Sequence, residues 1–245
     1  MDKALDLVEA VSRAPRPPRL TDLAGEVGLH RATAYRILVD LVRRGWVLRT
    51  GDRYLPGTAV LRLSVRAAHN SLTSLARPVL EDLSARTGLM VNLQVLENDG
   101  SRVVDVVRPD HLAMISTLLG EALPAHRFAG PLALVAALAP EARGPYLDAA
   151  RKAGHPLDGD TGLLADIERT RAAGFAVEHG RNEQFVASLS RAVVPAPGAP
   201  VCAVTVVGPD AEIDAPRMLG LRADLASAAD VLGGLLSGTS GAGDA

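Results

Sequence analysis

Residues 28–45 read Gly28-Leu29-His30-Arg31-Ala32-Thr33-Ala34-Tyr35-Arg36-Ile37-Leu38-Val39-Asp40-Leu41-Val42-Arg43-Arg44-Gly45. Ala34, Ile37, Leu38, Leu41 and Val42 recur at the i, i+3, i+4, i+7, i+8 spacing of a helix with one apolar side. The spacing predicts a helix from about Arg31 to Arg44, preceded by a tight turn at Gly28-Leu29 and stopped by Gly45. Ala32, Thr33, Arg36, Asp40 and Arg43 fall away from the apolar stripe.

Upstream, Ala4, Leu7, Val8 and Val11 mark a first helix over 2–13, which Pro15, Pro17 and Pro18 break. A shorter helix over 20–27 carries Leu23, Ala24 and Val27 inward. Downstream, Trp46–Arg49 and Arg53–Leu55 read as strands around the turn Thr50-Gly51-Asp52, a small β-hairpin. Helix, helix, turn, helix and hairpin within residues 1–57 form the layout of a winged helix-turn-helix, whose third helix enters the DNA major groove. Its N-terminal part reaches base edges, so Arg31, Ala32, Thr33, Tyr35 and Arg36 are the candidate readers. Arg pairs with guanine, Thr offers a hydroxyl or a methyl, and Tyr suits a phosphate. Arg43 lies further along the same helix, and Arg49 and Arg53 flank the hairpin turn where a wing meets the DNA backbone.

The charge agrees. Residues 1–66 hold 12 Lys and Arg against 7 Asp and Glu; the remainder holds 14 against 21, within a net charge of −2. A basic module on an acidic body points to a polyanionic partner for the first part alone.

At 245 residues the chain is long enough for two domains, and 48% apolar content supports packed cores. Aromatics are 3%, so those cores rest on Leu, Val and Ala. The longest apolar stretch, near 131–139, is too short for a bilayer, and the early acids at Asp2 and Asp6 argue against a leader. Cys202 is the only cysteine, which excludes an intrachain disulfide and a cysteine-based metal cluster. A cytoplasmic protein with no metal, no cofactor and no membrane partner is expected.

A helical stretch over 58–68 leads through His69-Asn70-Ser71 into another over 72–86, and the expected linker is residues 58–72. Leu61, Leu63 and Val65 are apolar positions on which this linker could dimerise. Beyond Gly88, strands are expected over 90–96 and 102–107, then a short extended segment over 113–117. Helices follow over 128–138, 141–149 and 163–173, strands over 175–178, 187–194 and 201–207, and a long helix over 216–236. The order predicts an α+β second domain over 73–236, with residues 237–245 a disordered tail.

The stretches Lys3–Ala10, Asp22–Ala24, Gly28–Leu38, Leu41–Gly45 and Tyr54–Gly57 resemble the IclR family of transcriptional regulators. So do Leu123-Pro124-Ala125-His126 with Ala129 and Ala133, Arg171–Glu178, and Val201–Pro209, so the resemblance covers essentially the whole chain. It implies a winged helix-turn-helix joined by a linker helix to a GAF-like α/β domain. It further implies a homodimer or dimer of dimers on a double-stranded DNA operator, with binding modulated by a small-molecule effector. Three positions depart from the family pattern. Arg19 stands where a Thr or Ser caps the second helix, Gly25 lies inside that helix at a cost of about 1 kcal/mol relative to Ala, and Ala32 replaces a usual Ser.

Carried over by motif, the effector site comprises Ala129 and Gly130 at a helix start, whose amides suit a carboxylate or carbonyl oxygen. Glu178, Ser188, Thr205 and Val207 complete it. The family's Gly-Lys pair is Pro131-Leu132 here, and Val207 replaces a hydroxyl. The resemblance therefore implies an organic acid or, given those losses, a larger and more apolar metabolite. Asn92, Arg102 and Met114 are further candidates for the lining, or ordinary core and surface.

Two other functional classes compete. A helix-turn-helix serving as a protein-interaction adaptor fits Arg19 and Ala32, but not the charge asymmetry. An enzyme has little support. The six histidines lack metal-ligand spacing, Ser188 and Ser190 lie in no nucleophile elbow, and Glu178 and His179 point to opposite faces of a strand.

Overall fold

The computed structural model describes residues 2–213 and 215–237; the side chains of residues 2, 60–70 and 215 fall outside that description. The chain divides into two compact units, Met1–Ser71 and Leu72–Ala245.

In the first unit, α1 (Asp2–Arg13), α2 (Leu20–Glu26) and α3 (Arg31–Arg43) precede β1 (Val47–Thr50) and β2 (Arg53–Pro56). Leu7, Leu23, Leu38 and Val47 are fully buried and form one core with Ala10, Val11, Leu41 and Tyr54. β1 and β2 pair antiparallel from Val47 opposite Pro56 to Thr50 opposite Arg53. The hairpin is fastened to the segment before α2: Arg19 bridges Arg53, and the Tyr54 amide donates to the Pro18 carbonyl at 3.0 Å. Gly57 closes the hairpin by crossing Trp46, and a Cβ there would lie 2.1 Å from the Gly45 carbonyl oxygen. Only glycine fits that crossing.

Helix α4 (Thr58–Thr87) runs through His69-Asn70-Ser71, where a break was expected. Those residues are middling helix formers rather than breakers, costing a few tenths of a kcal/mol each. Beyond them Leu72, Ala76, Leu80 and Leu83, all buried, fix the helix against the sheet of the second unit. Leu61, Leu63 and Val65 lie outside the described side chains.

The second unit is built on a six-stranded antiparallel sheet in the order β5-β4-β3-β8-β7-β6. These strands are β3 (Met90–Leu96), β4 (Ser101–Val107), β5 (Ala122–Leu123), β6 (Ala176–His179), β7 (Val186–Val193) and β8 (Cys202–Pro209). The period of two sorts the side chains. Val91, Leu93, Val95, Leu189, Val204 and Val206 face α4 and α8 (Ala215–Leu236) in the main core. The alternate residues face α5 (Ala129–Ala137), which packs with α6 (Gly144–Lys152) and α7 (Leu163–Ala173) in a second cluster around Leu163 and Ile167.

Two further expectations need correction. Residues 113–117 form turns, not a strand: the Arg108 guanidinium donates to the carbonyls of Ala113 (3.2 Å) and Ile115 (3.0 Å), which holds them off the sheet. The edge of β4 is taken by Ala122–Leu123 instead. Helix α6 starts at Gly144 rather than Glu141, because Pro145 lacks an N–H and suits the first turn, and Pro140–Ala142 form a separate 3-10 turn. Of the expected tail, residues 238–245 lie outside the described residues.

Candidate nucleic-acid interface and ligand pocket

At 100° per residue, the buried Ala34, Leu38 and Leu41 place the opposite side of α3 at Ala32, Arg36, Val39 and Arg43. Arg31, Ala32, Thr33, Tyr35, Arg36 and Arg43 are all exposed, as are Arg49 and Arg53 on the hairpin. Arg31 and Arg36 have no acidic partner among the described residues, whereas Arg43 pairs with Asp40 at 3.0 Å. Val39, 45% exposed in the middle of this face, was passed over because its side chain is apolar. Its wheel position between Ala32 and Arg43 was the available signal.

The Arg19 departure has a local remedy. The Asp22 carboxylate accepts the Arg19 backbone N–H at 2.9 Å, which supplies half of a capping box without a hydroxyl at the cap. The Arg19 side chain reaches across to Asp52 at 3.0 Å. Arg53 donates to the Pro17 carbonyl at 2.6 Å and so ties the hairpin to the segment before α2, while Arg49 braces its own turn by donating to Gly51 at 2.9 Å.

In the second unit a cavity of about 40 Å³ lies between the sheet face, the N-terminus of α5 and two loops. All six residues singled out in the sequence line it: Ala129, Gly130, Glu178, Ser188, Thr205 and Val207. Asn92 joins them. Arg102 does not, being turned onto Glu97 at 2.7 Å, nor does Met114, which is 94% exposed.

The sheet wall is a buried polar chain. Gln94 Nε2 donates to Asn92 Oδ1 at 2.8 Å, and Ser101 Oγ donates to Gln94 Oε1 at 2.8 Å. Ser190 and Thr205 share a hydroxyl hydrogen bond of 2.9 Å. Glu178, 6% exposed, receives the Arg181 backbone N–H on one carboxylate oxygen and the Ser188 hydroxyl at 3.3 Å on the other. The carboxamides of Asn92 and Gln94 occupy one face of β3 at alternate positions and line the cavity. The missed residue is Gln94, and its i, i+2 spacing from Asn92 was the signal.

Two loops complete the lining, and each carries a non-glycine residue in left-handed backbone: Leu118 (φ 52°), which faces the cavity, and Phe185 (φ 64°), 75% exposed. Such a conformation costs on the order of 1–2 kcal/mol per residue. Elsewhere in this unit, the His126 and His155 rings stack at 5.1 Å. Burial, with His155 and Arg127 nearby, lowers the His126 pKa below its usual value.

A larger, open groove of about 890 Å³ runs along α5, β7 and α8. Its most buried cation, Arg143, is already spent on the Ala136 and Leu138 carbonyls at 3.1 and 2.8 Å, which caps α5. The smaller cavity gathers the convergent polar groups.

An exposed basic helix on a winged unit, carried on one chain with a sheet domain that encloses a polar cavity, defines a one-component transcription regulator. Residues 1–51 match the IclR helix-turn-helix domain, and residues 66–232 match the bacterial transcriptional regulator IclR C-terminal domain. The chain belongs to the IclR family, whose members are DNA-binding transcriptional regulators. It is 24% identical over 245 residues to the transcriptional repressor IclR of Escherichia coli K12, covering 94% of this chain and 86% of that one. The fold matches an IclR-family regulator from Rhodococcus sp. with a TM-score of 0.76 at 24% identity, over 96% and 92% of the two chains. It also matches an IclR homologue of Microbacterium hydrocarbonoxydans, complexed with 4-hydroxybenzoate, with a TM-score of 0.57 at 20% identity over 97% and 98%. Among the described residues no helix is long and apolar enough to cross a membrane.

Proposed function

We propose that this protein reads an operator with the exposed face of α3 and responds to a small molecule held in the cavity beside α5. The observation that carries the reading is the solvent-facing row of Ala32, Arg36, Val39 and Arg43, flanked by Arg31, Thr33 and Tyr35 and opposite a fully buried stripe. Arg31 and Arg36 contact base edges, Tyr35 and Arg43 the phosphates, and Arg49 and Arg53 the backbone beside the wing.

One such unit offers few phosphate contacts, so two copies bind together, each on a half-site, as a homodimer or dimer of dimers. In the cavity, the Ala129 and Gly130 amides at the positive end of α5 receive a ligand oxygen, and Ser188, Thr205 and Val207 shape the remainder. That the Microbacterium homologue was found complexed with 4-hydroxybenzoate supports an effector of small-metabolite size. The effector acts by binding one DNA-binding arrangement better than another, and it shifts the balance by no more than that difference.

Mobility shift on the gene's own upstream region tests the reading. A retarded band that Arg36→Ala weakens supports it; full-length protein that shows no preference for that region over random DNA overturns it.

A further inference from the structure

The charge inventory of the small cavity is one-sided. Two carboxyl side chains, Glu178 and Glu183, line it, and no Lys, Arg or His does among the described residues. The basic residues around it are turned elsewhere. Arg181 pairs with Asp166 at 2.9 Å, Arg102 with Glu97, and Arg108 with the carbonyls of its own loop. Glu178 is 94% buried by its 6% exposure, and its two oxygens each take one protein donor, the Arg181 amide and the Ser188 hydroxyl. A carboxylate oxygen accepts about two hydrogen bonds, so each keeps a vacant acceptor position.

An anion placed here meets acidic side chains with no cation to offset them, in a site where water is scarce and charge repulsion is strong. A protonated nitrogen meets the reverse: a buried acceptor, a second acidic side chain at the rim, and the carboxamide oxygens of β3. The N-terminus of α5 lines the same cavity, and its amides suit a neutral or carboxylate oxygen on the same molecule.

Resting on the cavity as the effector site, we infer that the effector carries a protonated amine, seated against Glu178. Its class is a small cationic or zwitterionic amine rather than a plain organic acid. The ammonium donates to Glu178 and is bounded by Glu183, and any oxygen of the ligand turns toward Ala129 and Gly130. At about 40 Å³ the cavity holds little more than a water molecule, so the two loops with Leu118 and Phe185 part to admit the ligand.

Thermal shift on the full-length protein with matched sets tests this: ethanolamine, alanine, lactate and pyruvate, then 4-aminomethylbenzoate against 4-hydroxybenzoate and benzoate. The expected result is stabilisation by amine-bearing probes and little or none by the acids. Glu178→Gln, which keeps shape and hydrogen bonding, should weaken the amine by at least about tenfold in titration calorimetry. Stabilisation by the acids alone, an undiminished amine response in Glu178→Gln, or no amine response at all overturns the inference. Val207→Phe, which fills the cavity without changing its charge, separates the two levels. If an acid stabilises the protein and Val207→Phe abolishes that response, the site is right and the ligand class wrong. If Val207→Phe leaves every response intact, the site itself is misplaced.

Discussion

The carboxamide of Gln94 lies directly over Gly130, so that a Cβ on residue 130 would stand 2.1 Å from Gln94 Oε1. The same carboxamide is held by Asn92 and Ser101 at 2.8 Å each. Glycine is therefore demanded by a side chain packed against it, not by the backbone angle of the helix. Gly130→Ala should displace Gln94, leave part of the polar chain unsatisfied, and cost about 1–3 kcal/mol of unfolding free energy by denaturant titration. Gly130→Ala combined with Gln94→Ala should recover much of that loss. A single variant as stable as the parent would contradict the packing.

Arg36→Ala should weaken specific operator binding by about 1–3 kcal/mol in a fluorescence-anisotropy titration while the thermal midpoint stays put. The residue is exposed and has no acidic partner among the described residues, so the fold does not depend on it. An unchanged affinity would place the reading surface elsewhere.

Arg77 donates from one guanidinium nitrogen to Asp105 Oδ1 at 2.8 Å and to the Val106 carbonyl at 3.1 Å. It thereby fastens α4 to β4 where the β3–β4 register slips beside Gln94. Were the cavity wall to shift on binding a ligand, this clamp would carry the shift into α4. Arg77→Met should keep effector binding and effector-free DNA binding within about twofold, while shrinking the factor by which effector changes DNA affinity. Calorimetry and anisotropy on the same variant check the two halves; an undiminished factor would sink the idea.

Burial lowers the His126 pKa, so the folded state favours the neutral ring. A group whose folded pKa lies below its unfolded value near 6.5 gives stability at higher pH and loses it as pH falls. Unfolding free energy should decline below about pH 6.5, and His126→Gln should flatten that slope. A slope unaltered in the variant would assign the titration to another residue.

The Cys202 thiol is fully buried, and its pKa is pushed up to about 12 by desolvation. Iodoacetamide at pH 8 should modify the native protein at a small fraction of the rate seen in urea, by intact mass. Rapid native labelling would show that β8 opens readily.

The winged unit was legible because its signal is local. The 3.6 period of Ala34, Leu38 and Leu41, and turn residues such as Gly51, act over a few positions. Strand β3 and helix α7 were equally plain, falling where the sequence places them. What escaped were features decided at a distance. Residues 113–117 have strand-like composition, but Arg108 takes their carbonyls, a contact that neither segment announces alone. The continuity of α4 depends on packing by Leu72, Ala76 and Leu80, which outweighs the weak propensity of His69-Asn70-Ser71. In the cavity, positions carried over by motif fell in the lining, whereas the part played by Gln94 did not follow from them. Asn92 and Gln94 enter from one face of β3, and Gln94 is bonded to Asn92 on its own strand and to Ser101 and Thr205 on others.

The pairing of Arg43 with Asp40 on the reading helix has a consequence for how binding responds to salt. A cation that reaches a phosphate already neutralised by its own acid displaces few counterions, whereas a bare one releases close to a full ion. Arg31 and Arg36 belong to the second kind, Arg43 to the first. Asp40→Ala would convert Arg43 into a bare cation, and the plot of log affinity against log salt concentration would steepen by roughly 0.9 for each such contact. On the proposed reading, the acidic residue on the helix would tune how strongly the protein holds any DNA, apart from which sequence it selects.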